Sequence, residues 1–470
     1  MVLQRDRPIH LWGWAEPGEN ISATLREATQ TATADKLGRW TLYLAPQGAG
    51  GPFQLTVKGS NTVTLDDVLI GDVWFASGQS NMEMPLSGWP DAVLKNSEEE
   101  IRNANQPNIR LLYVRHKASD YPLPDYEQSW TPCTPETAKS FSAVAYFFGR
   151  ELQQHEHVPI GLIDSTWGGT PAEAWTSLES LSSDSSLMPV FAARAQMMNE
   201  QADFLVTKAA EEREDAAARK ANQPLPKHPW HPDPDSWAPA WLYNGMVAPA
   251  IESPIKGVIW YQGESNSSAD RAPLYAKLFP TLISDWRALW HEGNFPFLFV
   301  QLANYKPGGS GWPIIREAQR RTLALTSTGM AVTIDVGDPD NIHPTDKQSV
   351  GARLALAARA LAYGETVEYS GPIFRQTSID KDGMRIWFDH AEGLTAKNGA
   401  PSGFEIAGED HHFKPAAAAI DGQSVLVTSS QVPAPRYVRY GWTSAPVLNL
   451  YNSAGLPASP FTSEPVMPLP

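Results

Sequence analysis

Gly71-Asp72-Val73-Trp74-Phe75-Ala76-Ser77-Gly78-Gln79-Ser80-Asn81-Met82 is the stretch from which the rest of this chain is best read. Val73 to Ala76 is a short apolar run of β-favouring residues, the pattern of a buried strand. Gly78 breaks that strand, and Ser80 falls where a helix would begin. A hydroxyl at a strand-to-helix turn is presented to solvent, and the first free N–H groups of the helix lie close enough to stabilise a developing oxyanion. A serine in the same place also serves as a plain helix N-cap. The surrounding sequence has to decide between nucleophile and cap.

From about residue 67 to 365, short apolar runs alternate with amphipathic stretches. Strands are expected at 70–76, 109–114, 159–164, 257–261, 295–302 and 331–335, and helices at 141–154, 274–291, 314–325 and 347–363. Uninterrupted apolar strands alternating with helices predict a parallel sheet covered on both faces, which binds ligands at the carboxyl ends of its strands. Residues 180–240 interrupt the alternation. Ala192 to Ala221 is alanine- and charge-rich and reads as helix. The run Pro224-Leu225-Pro226-Lys227-His228-Pro229-Trp230-His231-Pro232 excludes helix, and the whole is expected to be an insertion over one end of the sheet. His228 and His231 lack a cysteine or well-spaced acidic partner, so a surface loop is expected there rather than a metal site. Residues 1–66 alternate as an all-β unit, with 9–14, 40–44 and 53–57 as strands. Residues 366–470 return to β-texture around 384–388, 424–428 and 436–440, with Asp380-Lys381-Asp382-Gly383 as a hairpin turn.

Composition narrows the partners. The chain has 470 residues, room for two or three domains, and a 42% hydrophobic content that supports a proper core. Its 37 Lys and Arg against 52 Asp and Glu leave a formal net charge of -15. That argues against nucleic acid or an anionic membrane surface as partner. Seventeen Trp is a high count, and flat aromatic faces suit sugar rings as well as cores. Cys133 is the sole cysteine, so neither an intramolecular disulfide nor a thiolate metal cluster is expected, and the compartment stays open. No apolar run approaches the ~20 residues of a membrane span. No basic-then-apolar leader is read at the N-terminus.

Four strand ends carry the residues of an acyl-transfer site. Ser80 can attack. His343, in Asp338-Pro339-Asp340-Asn341-Ile342-His343-Pro344, can take its proton. Asp340, three residues earlier, can hold the imidazole tautomer, with Asp338 and Asp335 as rivals for that role. The Ser80 N–H, the N–H of Gly168 or Gly169 and the Gln262 amide can form an oxyanion hole, at about 3 kcal/mol per donor. Each site alone is common.

Together and in this order they are another matter. The chain resembles the SGNH hydrolase superfamily and, within it, the sialate O-acetylesterase-like carbohydrate esterases. The likeness rests on Ser77-Gly78-Gln79-Ser80-Asn81-Met82-Glu83-Met84-Pro85, Trp167-Gly168-Gly169-Thr170-Pro171-Ala172-Glu173-Ala174-Trp175 and Leu242-Tyr243-Asn244-Gly245-Met246. It continues through Trp260-Tyr261-Gln262-Gly263-Glu264-Ser265-Asn266, Arg316-Glu317-Ala318-Gln319 and Ile342-His343-Pro344 with Lys347-Gln348, and covers essentially the whole chain. It implies a flavodoxin-like three-layer α/β/α domain at 67–365 flanked by β-rich regions at 1–66 and 366–470. By position, Ser80, Asp340 and His343 inherit the triad. Gln262 falls where many SGNH enzymes place an oxyanion-hole asparagine. Asn81, Glu264, Trp167 and Asn244 are expected to bind substrate, and Glu264 to hold its loop by pairing with Arg316. A single carboxylate at Glu264 does not make a glycosidase, which needs two.

The resemblance further implies an acetylated carbohydrate as substrate, either sialic acid or a hemicellulose such as xylan or xyloglucan. The acidic chain favours a neutral glycan. No metal or organic cofactor is needed. A periplasmic or secreted location is implied, with the cytoplasm not excluded. A lipase or thioesterase on the same scaffold, and a non-catalytic carbohydrate-binding protein, are the alternatives.

Overall fold

Thr62–Gly78 forms one strand (β1) of 17 residues, exposed over its first six and buried over the rest. Its first half pairs antiparallel with Gly50–Lys58, and its second half enters the central sheet. The backbone therefore crosses position 66 without a linker, where the composition changes. The computed structural model describes residues 1–200, 202–229, 231–381 and 383–466. Trp230 of the proline-rich run and Asp382 of the expected hairpin turn lie outside the described residues.

The central sheet adds Gln106–Tyr113 (β2), Ile160–Thr166 (β3), Gly257–Tyr261 (β4), Phe297–Val300 (β5) and Thr328–Ala331 (β6). Their order is β6-β5-β4-β1-β3-β2, all parallel, with Thr131–Cys133 antiparallel on the outer edge of β2. Strands β3 to β6 are buried at every residue, as expected of a parallel sheet with helices on both faces. The alternation of β1 shows those faces directly. Trp74 meets Phe148 of helix α1 (Ala143–Glu156) edge-on, with ring centroids 4.9 Å apart. Its neighbour Phe75 points the opposite way, edge-on to Trp286 of helix α2 (Ala272–Trp290) at 5.6 Å. Helix α3 (Gly311–Thr322) packs beside α2, and helix α4 (Lys347–Tyr363) beside α1. The fold is a three-layer α/β/α sheet with β-rich regions at both ends.

The last strand differs from expectation, ending at Ala331 rather than spanning 331–335. Val332 to Ile334 are buried, but burial is not pairing. Asp335 forms a two-pronged ion pair with Arg353 of α4, at 2.6 and 2.8 Å, and the chain bends over that helix instead of staying in the sheet. The expected insertion contains helices Pro189–Glu200 and Phe204–Lys220. His228 and His231 bond to Asp215 and Glu211 of the second helix, and no metal-holding cluster is found among the described residues. Two β-rich cores flank the sheet, one around Ile9, Leu25, Leu44 and Ile70, the other around Ile386, Phe404, Val425 and Val438. No helix among the described residues is long and apolar enough to cross a membrane.

Candidate active site

Strands β1, β3 and β4 end at one level. Gly78 pairs with Thr166 on one side and with Tyr261 on the other. The residues just beyond them therefore emerge on the same rim, where the chain order switches from one side of β1 to the other. Gly78 makes the turn possible. Its φ of +134° disfavours a side chain, and a Cβ there would lie 2.2 Å from the Tyr261 carbonyl oxygen. Ser80 opens the four-residue helix Ser80–Glu83, and its side chain makes no cap hydrogen bond. That cap position belongs to Gln79, whose Oε1 accepts from the N–H groups of Ser265 and Gly263 and so ties this turn to the one after β4.

The Ser80 hydroxyl lies 3.0 Å from Nε2 of His343, across 263 residues of sequence. Both side chains are half-buried. The imidazole is held edge-on by Trp89, ring centroids 4.7 Å apart. Its own loop is tightened by an Asn341 side-chain oxygen that accepts the His343 N–H at 2.9 Å. Burial first, then the positive charge of Lys347, lower the His343 pKa to about 4, against a weaker upward pull from Asp91.

The structure does not bring Asp340 to this imidazole. Its carboxylate is 79% exposed and accepts from Lys306 Nζ at 2.8 Å. Asp338 instead caps the turn, accepting from the N–H groups of Asp340 and Asn341. Asp335 is taken by Arg353. Among the described residues no carboxylate oxygen lies within ion-pair distance of His343. An Asp-x-x-His spacing fixes the number of bonds between two side chains, not the direction in which the loop turns them.

The oxyanion donors also differ from expectation. Gln262 is fully buried, and its amide is already committed: Nε2 donates to Asn266 Oδ1 at 2.7 Å and to Thr170 O, while Oε1 accepts from Tyr275. It braces the rim, joining the turns of Thr170 and Asn266 to Tyr275. Gly168 does lie beside Ser80, since a Cβ on it would meet Ser80 Cβ at 3.3 Å. Its N–H donates to Glu83 Oε2 at 2.6 Å, and Glu83 in turn pairs with His116 at 2.9 Å. The Ser80 N–H has no acceptor among the described residues.

Of the residues expected to bind substrate, Asn81 is 1% exposed, and its amide is used up on Glu264, Ile342 O and Lys347. Asn244 is buried away from the rim, donating to Ser119 O. Trp167 is half-buried, with its ring stacked on His116 at 4.4 Å. Glu264 lines the site cavity, but its expected partner Arg316 is elsewhere. Arg316 is fully buried and donates to the carbonyls of Leu302, Ala303, Thr443 and Ser444, clamping the C-terminal region onto the loop after β5. Burial without a carboxylate partner lowers its pKa to about 9.

A family model described as a carbohydrate esterase, sialic acid-specific acetylesterase, matches residues 229–360. The chain is 31% identical to a rat sialate O-acetylesterase over 98% of its own length and 92% of that protein. It is 32% identical to the human sialate O-acetylesterase, over 98% of the chain and 90% of that protein. The chain belongs to the sialate O-acetylesterase family of carbohydrate esterases. Its fold superposes on the crystal structure of a carbohydrate acetylesterase from Xanthomonas citri with a TM-score of 0.85 and 39% identity, covering 99% of this chain and 97% of that one.

In this family member, Ser80 and His343 stand in a cavity of about 980 Å³. Its walls carry Trp89, Trp237, Trp312 and Tyr305, and its acidic groups are Glu83, Glu264 and Asp270. Arg271 is the one lysine or arginine on the wall among the described residues, and its charge is spent. It pairs with buried Glu173, donates to Ser265 O and lies over the Trp237 ring at 4.8 Å. Trp237 itself comes from the 180–240 insertion and donates to Gly169 O at 2.9 Å, so the insertion builds part of the wall. Nothing in the local pattern of residues points to Trp237, Trp89 or the Glu83–His116 pair. Each is defined by a contact across at least 33 residues.

Proposed function

We propose that this chain is a serine esterase of SGNH type that removes O-acetyl groups from neutral glycans through Ser80 and His343. The observation that carries the proposal is the 3.0 Å contact of the hydroxyl with Nε2 inside an aromatic-walled cavity. Ser80 Oγ attacks the acetyl carbonyl while His343 Nε2 takes the hydroxyl proton. The oxyanion is received by the Ser80 N–H, with Gly168 joining once Glu83 releases it. The sugar oxygen then leaves with the proton from the imidazolium, and an acetyl-serine remains. Water attacks that ester and gives one proton to His343, which returns it to Ser80 as acetic acid departs and ionises in solvent. The proton accounting closes within the pair, without a metal or organic cofactor.

The substrate reading rests on charge. A sialic acid brings a carboxylate, and the cavity wall holds Glu83 and Asp270, a Glu264 turned in to Asn81, and one arginine already neutralised by Glu173. The aromatic walls suit the apolar faces of uncharged sugars, in line with an acetylated hemicellulose. Such polymers lie outside the cell, which supports the periplasmic or secreted location implied by the family.

Acetate release from acetylated xylan, xyloglucan and sialic acids tests both parts. The expected result is release from the neutral glycans, lowered at least ~10³-fold by Ser80→Ala with the melting curve unchanged. Full activity in Ser80→Ala refutes the nucleophile. Release from sialic acids alone refutes the substrate class.

A further inference from the structure

Beneath the His343 loop lies a buried chain of polar groups that the proposed reaction does not use. Asn81 follows the nucleophile directly. Its Nδ2 donates to Glu264 Oε1 at 2.6 Å and to the carbonyl of Ile342, the residue before His343, at 3.0 Å. Its Oδ1 accepts from Lys347 Nζ at 2.5 Å. Asn81 thus joins three rim segments: the turn after β1, the turn after β4, and the His343 loop with the first residue of α4.

These contacts are costly to build. Lys347 is fully buried, and besides its bond to Asn81 its ammonium lies 5.3 Å from the Tyr261 ring centroid and is drawn by the Glu264 carboxylate beyond Asn81. Glu264 Oε2 is buried with no hydrogen-bond partner among the described residues. Burial lowers the Lys347 ammonium to about 7 and raises the Glu264 carboxyl above its usual range. A buried ammonium and carboxyl joined through one amide are often no more stable than apolar packing of the same volume, so what they contribute here is a fixed geometry. The geometry they secure is the peptide that carries the base, which has no carboxylate on it.

We propose that Asn81, clamped between Glu264 and Lys347, is the positioning residue that holds the His343 loop against Ser80. The inference rests on the Ser80–His343 reading above. Orientation reaches the imidazole through its own backbone rather than through an acidic side chain on the ring. Lys347 adds a second effect. The charged groups facing His343 are Lys347 from α4 and Asp91 from the loop that carries Trp89, and Lys347 is the stronger influence.

The test uses 4-nitrophenyl acetate, which has no sugar, so that a lost glycan contact leaves the rate untouched. Asn81→Leu is expected to lower kcat by ~10²-fold with KM within about twofold, because a base displaced by a fraction of an ångström loses its attack geometry. Lys347→Met is expected to move the acidic limb of kcat/KM up by about one pH unit, because a positive charge has left the neighbourhood of the imidazole. A purely structural role moves the melting temperature but not this limb. Wild-type kcat in a folded Asn81→Leu overturns the inference, as does an unmoved limb in Lys347→Met, which decides the matter if Asn81→Leu does not fold. Loss of glycan turnover alone, with aryl acetate spared, overturns it in favour of a substrate contact. An active wild type that is equally active as Ser80→Ala removes the underlying reading as well.

Discussion

His343, the proposed base, is expected to work far into the acid range. The perturbation is pH itself. His343 is sequestered between Trp89 and Ser80, with the Lys347 ammonium nearby, and its pKa falls to about 4 from an ordinary 6.5. The direction follows from both causes, since burial and a neighbouring cation each disfavour imidazolium. Below its pKa the imidazole is protonated and cannot accept the Ser80 proton. At about pH 5 an imidazole titrating near 4 is about nine-tenths neutral, whereas one titrating near 6.5 is only about 3% neutral. The two cases differ roughly thirty-fold in kcat/KM at that pH. Initial rates on an aryl acetate between about pH 3.5 and 8 measure the difference, with each buffer checked by a melting curve so that unfolding is not counted as titration. The free enzyme's acidic limb should fall below pH 5. An acidic limb at pH 6 or above refutes the reasoning, because it means the imidazole is solvated or has an anionic partner that stabilises its charged form.

Two substitutions test other parts of the site. Asp340→Asn should lower kcat by less than about tenfold, against the ~10⁴-fold typical of an aspartate that orients a catalytic histidine. Its carboxylate reaches only Lys306, and a loss of ~10³-fold or more in steady-state kinetics would show that the loop turns it inward during turnover. Gln262→Leu should cost about 1–3 kcal/mol of stability, read as a lower denaturation midpoint, because Tyr275 and the Thr170 carbonyl each lose a partner in a buried setting. A stable protein that has lost kcat instead would return the amide to the oxyanion hole.

Much of the site was legible because strand ends announce themselves. Gly78, Gly168–Gly169 and Gly263 each stop an apolar run, and in a parallel sheet all such stops on one side share a rim. Ser80 and His343 are therefore within reach of each other on periodicity and punctuation. The role of Asp340 was not legible in the same way. It sits beside the histidine in sequence, yet Asp338 caps the turn and directs Asp340 out to Lys306. The partners of Gln262 are illegible for a related reason: its position beyond β4 is that of a donor, but Tyr275 on α2 and Asn266 engage its amide. Arg316 does not pair with Glu264 because the carbonyls of Leu302, Ala303, Thr443 and Ser444 already occupy that guanidinium.

The sequence by itself determined the layered architecture, the rim that carries Ser80 and the glycine turns, and the family. These follow from local rules: the period of hydrophobic residues, the breaks imposed by glycine and proline, and blocks of adjacent residues whose order survives in any fold. Tertiary structure alone decided which polar atoms are free. A hydrogen bond is a short-range, directional contact, and each donor or acceptor is won by the partner that packing brings within about 3 Å. That competition gave Asn81 to Lys347, Gly168 to Glu83 and Arg271 to Glu173. It left the Ser80 hydroxyl facing an imidazole that arrives 263 residues later.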